Sequence, residues 1–223
     1  MTRRQGDKVK NGGDRVKDND LAGPEAKPAR HADPAPDHRV TWSPGHRIIF
    51  LIGYRGSGKT TVARLLAERL GWQWLDADAL LEERQGRTIR RIFAEEGEGT
   101  FRRLESELLE ELCRCQRHVI ATGGGAVLSE TNRARMREAG WVIWLDADAA
   151  TLWQRVQSDA ATAERRPNLT VGGLAEVEEL LRLREPLYRA CAHIRVQTAG
   201  RPPEEIVAEI LTEMGFLLPR GEP

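Results

Sequence analysis

The chain alternates short apolar runs with longer segments in which apolar residues recur every three or four positions. The short runs are typical of buried β-strands, and the longer segments are typical of helices that pack one face on a sheet. The predicted strands span residues 47–52, 73–76, 118–122, 141–145 and 193–197. The predicted helices span roughly residues 59–70, 78–84, 88–95, 99–115, 130–139, 148–157, 174–190 and 203–214. Because helical segments separate the strands, the pattern predicts an α/β fold with a central parallel sheet flanked by helices.

A glycine-rich segment joins the first predicted strand to the first predicted helix. Residues 53–60 read Gly-Tyr-Arg-Gly-Ser-Gly-Lys-Thr and match the phosphate-binding loop pattern G-x-x-x-x-G-K-[ST]. In such a loop the backbone N–H groups turn toward a polyphosphate, the lysine reaches the β- and γ-phosphates, and the hydroxyl binds Mg²⁺. The sequence therefore predicts binding of a nucleoside triphosphate. The residues expected to contact it are Gly56, Ser57, Gly58, Lys59, Thr60 and Thr61.

Polar or glycine-rich segments also follow the second and third predicted strands. Asp76 and Asp78 follow strand two, and Gly123-Gly124-Gly125 follows strand three. Ligands of parallel sheets bind beyond the carboxyl ends of the strands, so we expect these segments to lie beside the phosphate loop. If the backbone is extended, the two aspartates face the same side, where one could hold Mg²⁺ and the other could accept a hydroxyl proton. The alternatives are that Asp78 caps the helix beginning near Ala79, and that the glycines form a plain loop.

The arginines each have two interpretations. Arg102 could pair with Glu105 on a solvated helix face, and Arg184 could be a surface helix residue. Arg166 lies in a segment of about residues 158–173, whose small, polar and glycine residues favour a mobile lid that closes over the transferring phosphate. Considered singly, each arginine favours the structural interpretation.

Composition limits the partners and the compartment. The chain has 34 Lys and Arg and 34 Asp and Glu, so its zero net charge favours neither nucleic acid nor an anionic membrane. No apolar run is long enough to predict a membrane span. Three cysteines, an odd number, indicate reduced thiols in the cytoplasm, and Cys113 and Cys115 are interpreted as ordinary helix residues. Four of the six tryptophans lie in or beside predicted strands, where we expect core packing: Trp72, Trp74, Trp141 and Trp144.

The first part of the chain has a different composition. Residues 1–43 contain few large apolar side chains and cannot bury enough surface to offset their ordering entropy, which predicts a disordered N-terminal extension. Arg3 and Arg4 are not followed by an apolar segment, so we expect no secretory signal. The remaining pattern predicts one domain over residues 44–218.

From about Ile48 to Met214 the order and spacing of these motifs resemble the shikimate kinase family. The phosphate loop alone is shared by many kinases, whereas the combination of Asp-x-Asp, Phe-Arg-x-x-Glu and a triple glycine is specific to this family. The matching segments beyond the phosphate loop are Asp76-Ala77-Asp78, Gly86-Arg87-Thr88-Ile89, Ile92-Phe93, Gly97-Glu98, Phe101-Arg102-Arg103-Leu104-Glu105, Gly123-Gly124-Gly125-Ala126, Arg166-Pro167 and Arg184-Glu185-Pro186-Leu187-Tyr188.

The resemblance implies a P-loop kinase three-layer fold with a five-stranded parallel sheet and a mobile lid. It also implies a monomeric enzyme that uses ATP and Mg²⁺ to phosphorylate the 3-hydroxyl of shikimate in aromatic amino-acid biosynthesis. The implied catalytic residues are Lys59, Asp78 and Arg166. The implied substrate-binding residues are Asp78, Arg102, Gly123, Gly124, Gly125 and Arg184. Arg155 and Arg166 join the nucleotide-binding residues, and Mg²⁺ contacts fall on Thr60 and, through water, on Asp76.

Other functions share parts of this pattern. A gluconate-type sugar-acid kinase would have the same fold and phosphate loop but would not need the triple glycine or these arginines. A nucleoside monophosphate kinase would need a larger base-binding region. A non-catalytic nucleotide-sensing module would not need the acceptor-side carboxylate. The chain departs from the usual lid sequence Arg-Pro-Leu-Leu, since it reads Arg166-Pro167-Asn168-Leu169.

Overall fold

The computed structural model describes residues 48–158 and 173–215, which belong to one compact unit, Trp42–Pro223. Its strands are β1 (Ile48–Ile52), β2 (Gln73–Asp76), β3 (His118–Ala121), β4 (Trp141–Asp146) and β5 (Ile194–Gln197). Its α-helices are α1 (Lys59–Leu70), α2 (Ala77–Gln85), α3 (Ile89–Leu112), α4 (Glu130–Ala139), α5 (Ala149–Ser158), α6 (Gly173–Cys191) and α7 (Pro203–Glu213). A 3₁₀ turn follows β3 at Ala126–Leu128. The predictions for residues 1–43, for residues 159–172 of the lid and for residues 216–218 fall outside the described residues.

The strands form one parallel sheet in the order β2-β3-β1-β4-β5. The predicted five-stranded α/β fold is therefore confirmed. At the carboxyl ends, Leu51 pairs with Ala121 of β3 and Ile52 pairs with Trp144 of β4. All the segments that follow the strands consequently leave the same edge of the sheet, as the alternation of strands and helices predicts.

The central strand divides its buried residues between two cores. Ile48, Phe50 and Ile52 face a core shared mainly with α3, α4 and α6, whereas Ile49 and Leu51 face a core shared with α1 and α7. All five residues of β1 are buried, which explains why the strand is a continuous apolar run rather than an alternating one. Burial of each large apolar side chain stabilises the fold by roughly 1.5–3 kcal/mol and fixes the sheet edge on which the polar segments stand.

Helix α3 differs from the prediction in two ways: the two helices predicted over residues 88–95 and 99–115 form one kinked helix, and that helix ends before residue 115. Helix α3 continues across the expected break between residues 95 and 99, but Gly97 has non-helical angles (φ 80°, ψ 173°) that bend it there. The helix ends at Leu112, so Cys113 and Cys115 lie after the helix rather than within it. A cap at Thr88, whose hydroxyl accepts a hydrogen bond from Arg91 N at 3.2 Å, begins the helix.

The expected core packing of the tryptophans is correct for Trp141 and Trp144, holds in part for Trp72, which packs half-buried against the core, and is wrong for Trp74. Trp141 and Trp144 are buried in β4, beside the central strand. Trp74 is 40% exposed because β2 is the edge strand of the sheet and has a neighbour on one side only. Across the described ranges, no helix has both the length and the apolar character needed to cross a membrane.

Candidate active site

The phosphate loop connects β1 to α1 through a backbone path that requires glycine. Gly53 has φ 141°, and a Cβ on it would lie 2.4 Å from the carbonyl oxygen of Leu145 in β4. Gly58 has φ 92° and is the N-cap of α1, which begins at Lys59. The N-terminus of α1 therefore opens into the loop, the arrangement in which helix N–H groups and the helix dipole attract phosphate.

Lys59 lies back across its own loop. Its Nζ donates to the carbonyl oxygens of Gly53 and Tyr54, both at 2.9 Å, and lies 3.5 Å from Ser57 Oγ. The loop is closed further by a hydrogen bond from Ser57 N to Tyr54 O at 3.2 Å. The loop carbonyls thus hold the ammonium group at the phosphate-binding segment predicted from the sequence.

The two aspartates after β2 occupy different positions from those that an extended backbone would give. Asp76 ends β2 and caps α2, because its Oδ1 accepts hydrogen bonds from Asp78 N at 3.0 Å and Ala79 N at 3.2 Å. Its Oδ2 accepts a hydrogen bond from Thr60 Oγ1 at 2.6 Å. Asp78 lies in the first turn of α2, half-buried. The expectation that both face one side of an extended strand is wrong, and the capping residue is Asp76 rather than Asp78.

The triple glycine runs between the phosphate loop and α3. Thr122 anchors its start, since its N and Oγ1 both donate to Leu51 O, at 3.1 and 3.0 Å. A Cβ on Gly124 would lie 3.4 Å from Arg55 N and from Gly53 O. A Cβ on Gly125 would lie 2.4 Å from a guanidinium nitrogen of Arg102. The glycines therefore allow the backbone to approach the phosphate loop on one side and an arginine on the other, which is more than a plain loop requires.

Arg102 is held by two glutamates from its own helix. Its Nη1 donates to Oε2 of buried Glu105 at 2.8 Å. Its Nε and Nη2 donate to one oxygen of Glu98, at 3.1 and 3.0 Å, and the Glu98 side chain is 57% exposed. Arg102 therefore pairs with Glu105, as one of the two interpretations expected. The pair does not lie on a solvated face, because Glu105 is only 7% exposed and the Arg102 guanidinium lies 5.0 Å from the ring centroid of Phe101.

Helix α6 brings Arg184 and Tyr188 to the same edge of the sheet. The guanidinium carbon of Arg184 lies 5.9 Å from the ring centroid of Tyr54 in the phosphate loop. One helical turn later, the buried hydroxyl of Tyr188 donates to Gly124 O at 2.6 Å. Arg184 is therefore near the phosphate loop rather than being only a surface residue, and Tyr188 contacts the glycine turn.

Arg155 connects the phosphate loop to the segment after β5. Its Nη1 donates to Gly56 O at 3.4 Å and to Thr198 Oγ1 at 3.2 Å, and its Nη2 donates to Thr198 O at 2.7 Å. Arg155 therefore lies against the phosphate loop, and the nucleotide contact expected for it stays a prediction. Arg166, the expected lid residue, lies outside the described residues.

Two residues of the site make contacts that the sequence analysis did not predict. Tyr188 and Glu98 both occur in motifs that match the family, but neither was given a function. The spacing of four residues from Arg184 to Tyr188 and from Glu98 to Arg102 was the available signal, because it places each pair on one helix face.

The cysteines take no part in this arrangement. Burial raises the pKa of the Cys191 thiol to about 11 and the pKa of the Cys113 thiol to about 11. Both thiols, with that of Cys115, are free, and none of the three contacts the phosphate loop or the glycine turn through a described hydrogen bond.

Comparison with known proteins gives one consistent result. The model of the shikimate kinase family matches residues 55–215. A shikimate kinase of Rhodopirellula baltica is 45% identical over 164 residues, which cover 73% of this chain and 88% of that protein. Among solved structures, the shikimate kinase of Acinetobacter baumannii in complex with shikimate has a TM-score of 0.71 and 37% identity, covering 76% of this chain and 93% of that one.

A sugar-acid kinase is a more distant match. A gluconokinase of Sinorhizobium meliloti has a TM-score of 0.51 and 18% identity, covering 77% of this chain and 93% of that one. At that identity the likeness shows a shared fold only.

Proposed function

The chain belongs to the shikimate kinase family, and we propose that the sheet edge described above transfers the γ-phosphoryl group of ATP to the 3-hydroxyl of shikimate. The products are shikimate 3-phosphate and ADP, and the step belongs to aromatic amino-acid (chorismate) biosynthesis. One contact supports this function most directly: Arg102 lies against the backbone of Gly125, so a carboxylate-binding cation and the glycine turn form one site beside the phosphate loop.

The phosphate loop binds ATP through its backbone N–H groups and through Lys59. The Lys59 ammonium exchanges the carbonyl oxygens of Gly53 and Tyr54 for phosphate oxygens, because an ionised acceptor makes the stronger hydrogen bond. This exchange places a positive charge where negative charge spreads over the transferring phosphoryl group. Thr61 in the first turn of α1 and Arg155 beside Gly56 complete the nucleotide contacts.

Asp78 accepts the proton of the 3-hydroxyl. The hydroxyl oxygen attacks the γ-phosphorus, its proton passes to the Asp78 carboxylate, and the bond from the phosphorus to the leaving oxygen of ADP breaks. The two oxygens of Asp76 are bound by Thr60 and by the first N–H groups of α2, and Asp78 lies in the first turn of that helix. These contacts support Asp76 as the structural partner of Thr60, and the match of Asp78 to the family's Asp-x-Asp motif supports Asp78 as the base.

Arg102 and Arg184 bind the carboxylate of shikimate. A planar guanidinium can donate two parallel hydrogen bonds to a carboxylate, which fixes both the position and the orientation of the ring. Glu105 is buried and keeps Arg102 in place. The carboxylate of the substrate displaces the exposed Glu98 carboxylate from Arg102. Gly124 and Gly125, whose backbones approach the phosphate loop and Arg102, form together with Gly123 the wall against which the ring lies.

The oxygen donors of Thr60 and Asp76 fit a magnesium ion. Mg²⁺ prefers oxygen ligands and is commonly held by one or two carboxylates together with water and substrate phosphates. Within residues 48–158 and 173–215 there is no cluster of three or more His, Cys, Asp or Glu side chains that could hold a metal alone. When bound, the ion neutralises charge on the phosphates. Thr60 Oγ1 would offer a lone pair to the ion while its own proton remains hydrogen-bonded to Asp76 Oδ2.

Arg166 acts over the transferring phosphate in this proposal. It lies outside the described residues, and its assignment rests on the match of Arg166-Pro167 to the lid motif of the family. We further propose that the enzyme is cytoplasmic, since all three of its cysteines are free thiols, and that it is a monomer, as the resemblance to the family implies. Light scattering of the purified full chain tests the oligomeric state.

A coupled ADP-release assay tests the reaction. The full chain with MgATP is offered shikimate, gluconate, a nucleoside monophosphate or no acceptor in parallel. We expect acceptor-dependent ADP release with shikimate alone. Turnover with gluconate but not shikimate would assign the site to a sugar-acid kinase, and binding of ATP with no turnover on any acceptor would favour a nucleotide sensor.

A further inference from the structure

We infer that Tyr188 is a positioning residue that fixes the glycine turn of the acceptor site through its hydroxyl group. Its ring is fully buried, and its Oη donates to the carbonyl oxygen of Gly124 at 2.6 Å, across 64 residues of sequence. The inference rests on the proposed transfer to shikimate, because it concerns the geometry of that same site.

The position of the hydroxyl is itself tightly fixed. The Tyr188 ring stacks on the indole of Trp144 with ring centroids 5.7 Å apart and an angle of 21° between the planes. Trp144 lies in β4 next to the central strand and is 2% exposed. The guanidinium carbon of Arg195 lies 4.4 Å from the same indole centroid. Because the Tyr188 ring is packed on the sheet, its hydroxyl has a fixed position and can hold the glycine turn in place through the hydrogen bond to Gly124.

The carbonyl group of Gly124, which accepts the hydrogen bond from Tyr188, lies between the phosphate loop and the residues proposed to bind the acceptor. Gly124 runs beside the phosphate loop, with an added Cβ 3.4 Å from Arg55 N and Gly53 O. The next residue, Gly125, lies against the Arg102 guanidinium. A shift of the turn by a fraction of an ångström would therefore alter the distance between the phosphate loop and the acceptor-binding arginine.

The same helix also carries the second acceptor arginine. Arg184 precedes Tyr188 by four residues, so the two side chains lie on one face of α6. The bond from Tyr188 to Gly124 consequently fixes the helix that carries Arg184 relative to the turn that contacts Arg102. Loss of that one hydroxyl should disturb the acceptor site more than the nucleotide site, whose lysine is held by the loop's own carbonyls.

The variant Tyr188→Phe tests the inference because it keeps the ring and removes the donor. We expect the KM for shikimate to rise about tenfold, which corresponds to about 1.4 kcal/mol, the scale of one buried hydrogen bond. The KM for MgATP should stay within about twofold, because the phosphate loop keeps its own contacts. In ¹³C-labelled protein the carbonyl resonance of Gly124 should shift in the variant.

A control separates positioning from general destabilisation. Met136→Ala opens a cavity in the same core from helix α4 but leaves the hydrogen bond from Tyr188 to Gly124 in place, and it should lower Tm without changing the KM for shikimate. Any of three results would overturn the inference. In Tyr188→Phe these are an equal rise of the KM values for shikimate and MgATP, or an unchanged KM for shikimate. In Met136→Ala it is a rise of the KM for shikimate as large as that in Tyr188→Phe. Should Tyr188→Phe not fold, Trp144→Phe weakens the stacking on Tyr188 and should raise the KM for shikimate about threefold. An unchanged KM for shikimate in a folded Trp144→Phe protein would then overturn the inference.

The proposed function and the role of Tyr188 fail in different ways. A wild-type chain that neither binds nor phosphorylates shikimate contradicts the proposed function. The Gly124 carbonyl resonance reports on the hydrogen bond without any turnover. A wild-type enzyme that is active on shikimate and a Tyr188→Phe variant with an unshifted Gly124 resonance would contradict the role of Tyr188 alone.

Discussion

Thr60 and Asp76 are joined by a hydrogen bond of 2.6 Å between Thr60 Oγ1 and Asp76 Oδ2, which connects the first turn of α1 to the end of β2. The other carboxylate oxygen of Asp76 caps α2 through the N–H groups of Asp78 and Ala79. One carboxylate thus fixes both the hydroxyl proposed to bind Mg²⁺ and the helix that carries the proposed base. Substitutions that keep the cap but change the charge can therefore separate the two roles.

Asp78→Asn and Asp76→Asn should have different effects on turnover. Asp78→Asn removes the proton acceptor and should lower kcat strongly, with MgATP binding unchanged or improved because a negative charge is lost beside the phosphates. Asp76→Asn keeps a side-chain oxygen for the cap and should keep α2 intact, but it should raise the Mg²⁺ concentration needed for activity. Mg²⁺ titrations of both variants measure this, with the exposed Glu83→Gln of α2 as the control. The opposite pattern would mean that the two roles are exchanged.

Lys59→Ala should lower kcat by about 10²–10³ or more, the scale for loss of one preorganised charge-stabilising donor. The variant also loses the hydrogen bonds from Nζ to Gly53 O and Tyr54 O, so Tm should be measured beside kcat. Arg64→Ala removes a positive charge from an exposed position of the same helix and should leave kcat unchanged. Turnover near wild type in Lys59→Ala would contradict the phosphate-binding role.

Glu98→Gln should lower the KM for shikimate by about two- to fivefold. The Glu98 carboxylate holds the Nε and Nη2 of Arg102, so the substrate carboxylate must displace it, and an exposed ion pair of this kind contributes about 0–1 kcal/mol. Glu107→Gln removes the similar pair with Arg103 on the same helix and should have no effect on this KM. A raised KM in Glu98→Gln would mean that Glu98 supports substrate binding instead of competing with it.

Arg102→Ala should weaken shikimate binding by roughly 2–5 kcal/mol while ATP affinity barely changes, because it removes the partner of a desolvated charge. Calorimetric titration with each ligand separately measures the two affinities. Equal losses for both ligands would indicate a structural effect, since Arg102 also packs on Phe101 and pairs with buried Glu105.

Cys191 should resist alkylation in the folded protein. Burial raises the pKa of its thiol from 9.0 to about 11, so at about pH 8 the thiolate fraction falls about a hundredfold relative to the unfolded chain. The same shift makes the contribution of this thiol to stability fully present below pH 9 and lost as the pH rises toward 11. Urea unfolding of wild type and Cys191→Ala across that range measures the effect. An identical pH dependence in both proteins would contradict it.

The sequence by itself determined the elements and the nucleotide site. Apolar periodicity is a local property, so the ranges predicted for β2, α1 and α4 match those of the structure. The phosphate loop is also local, since its glycines, lysine and threonine are contiguous and need only a strand before them and a helix after them. The convergence of the polar segments followed from one rule, that parallel strands end at the same edge.

Only the tertiary structure decided which groups touch. The order β2-β3-β1-β4-β5 leaves β2 at the edge, which exposes Trp74 despite its place in a strand. The start of α2 immediately after β2 made Asp76 the cap and placed Asp78 in the first turn of the helix. The contact of Tyr188 with Gly124 joins residues 64 positions apart, and no local pattern encodes it. Such contacts depend on strand order and helix packing. The free energies of both are sums over side chains that are distant in the sequence, so local sequence patterns do not predict these contacts.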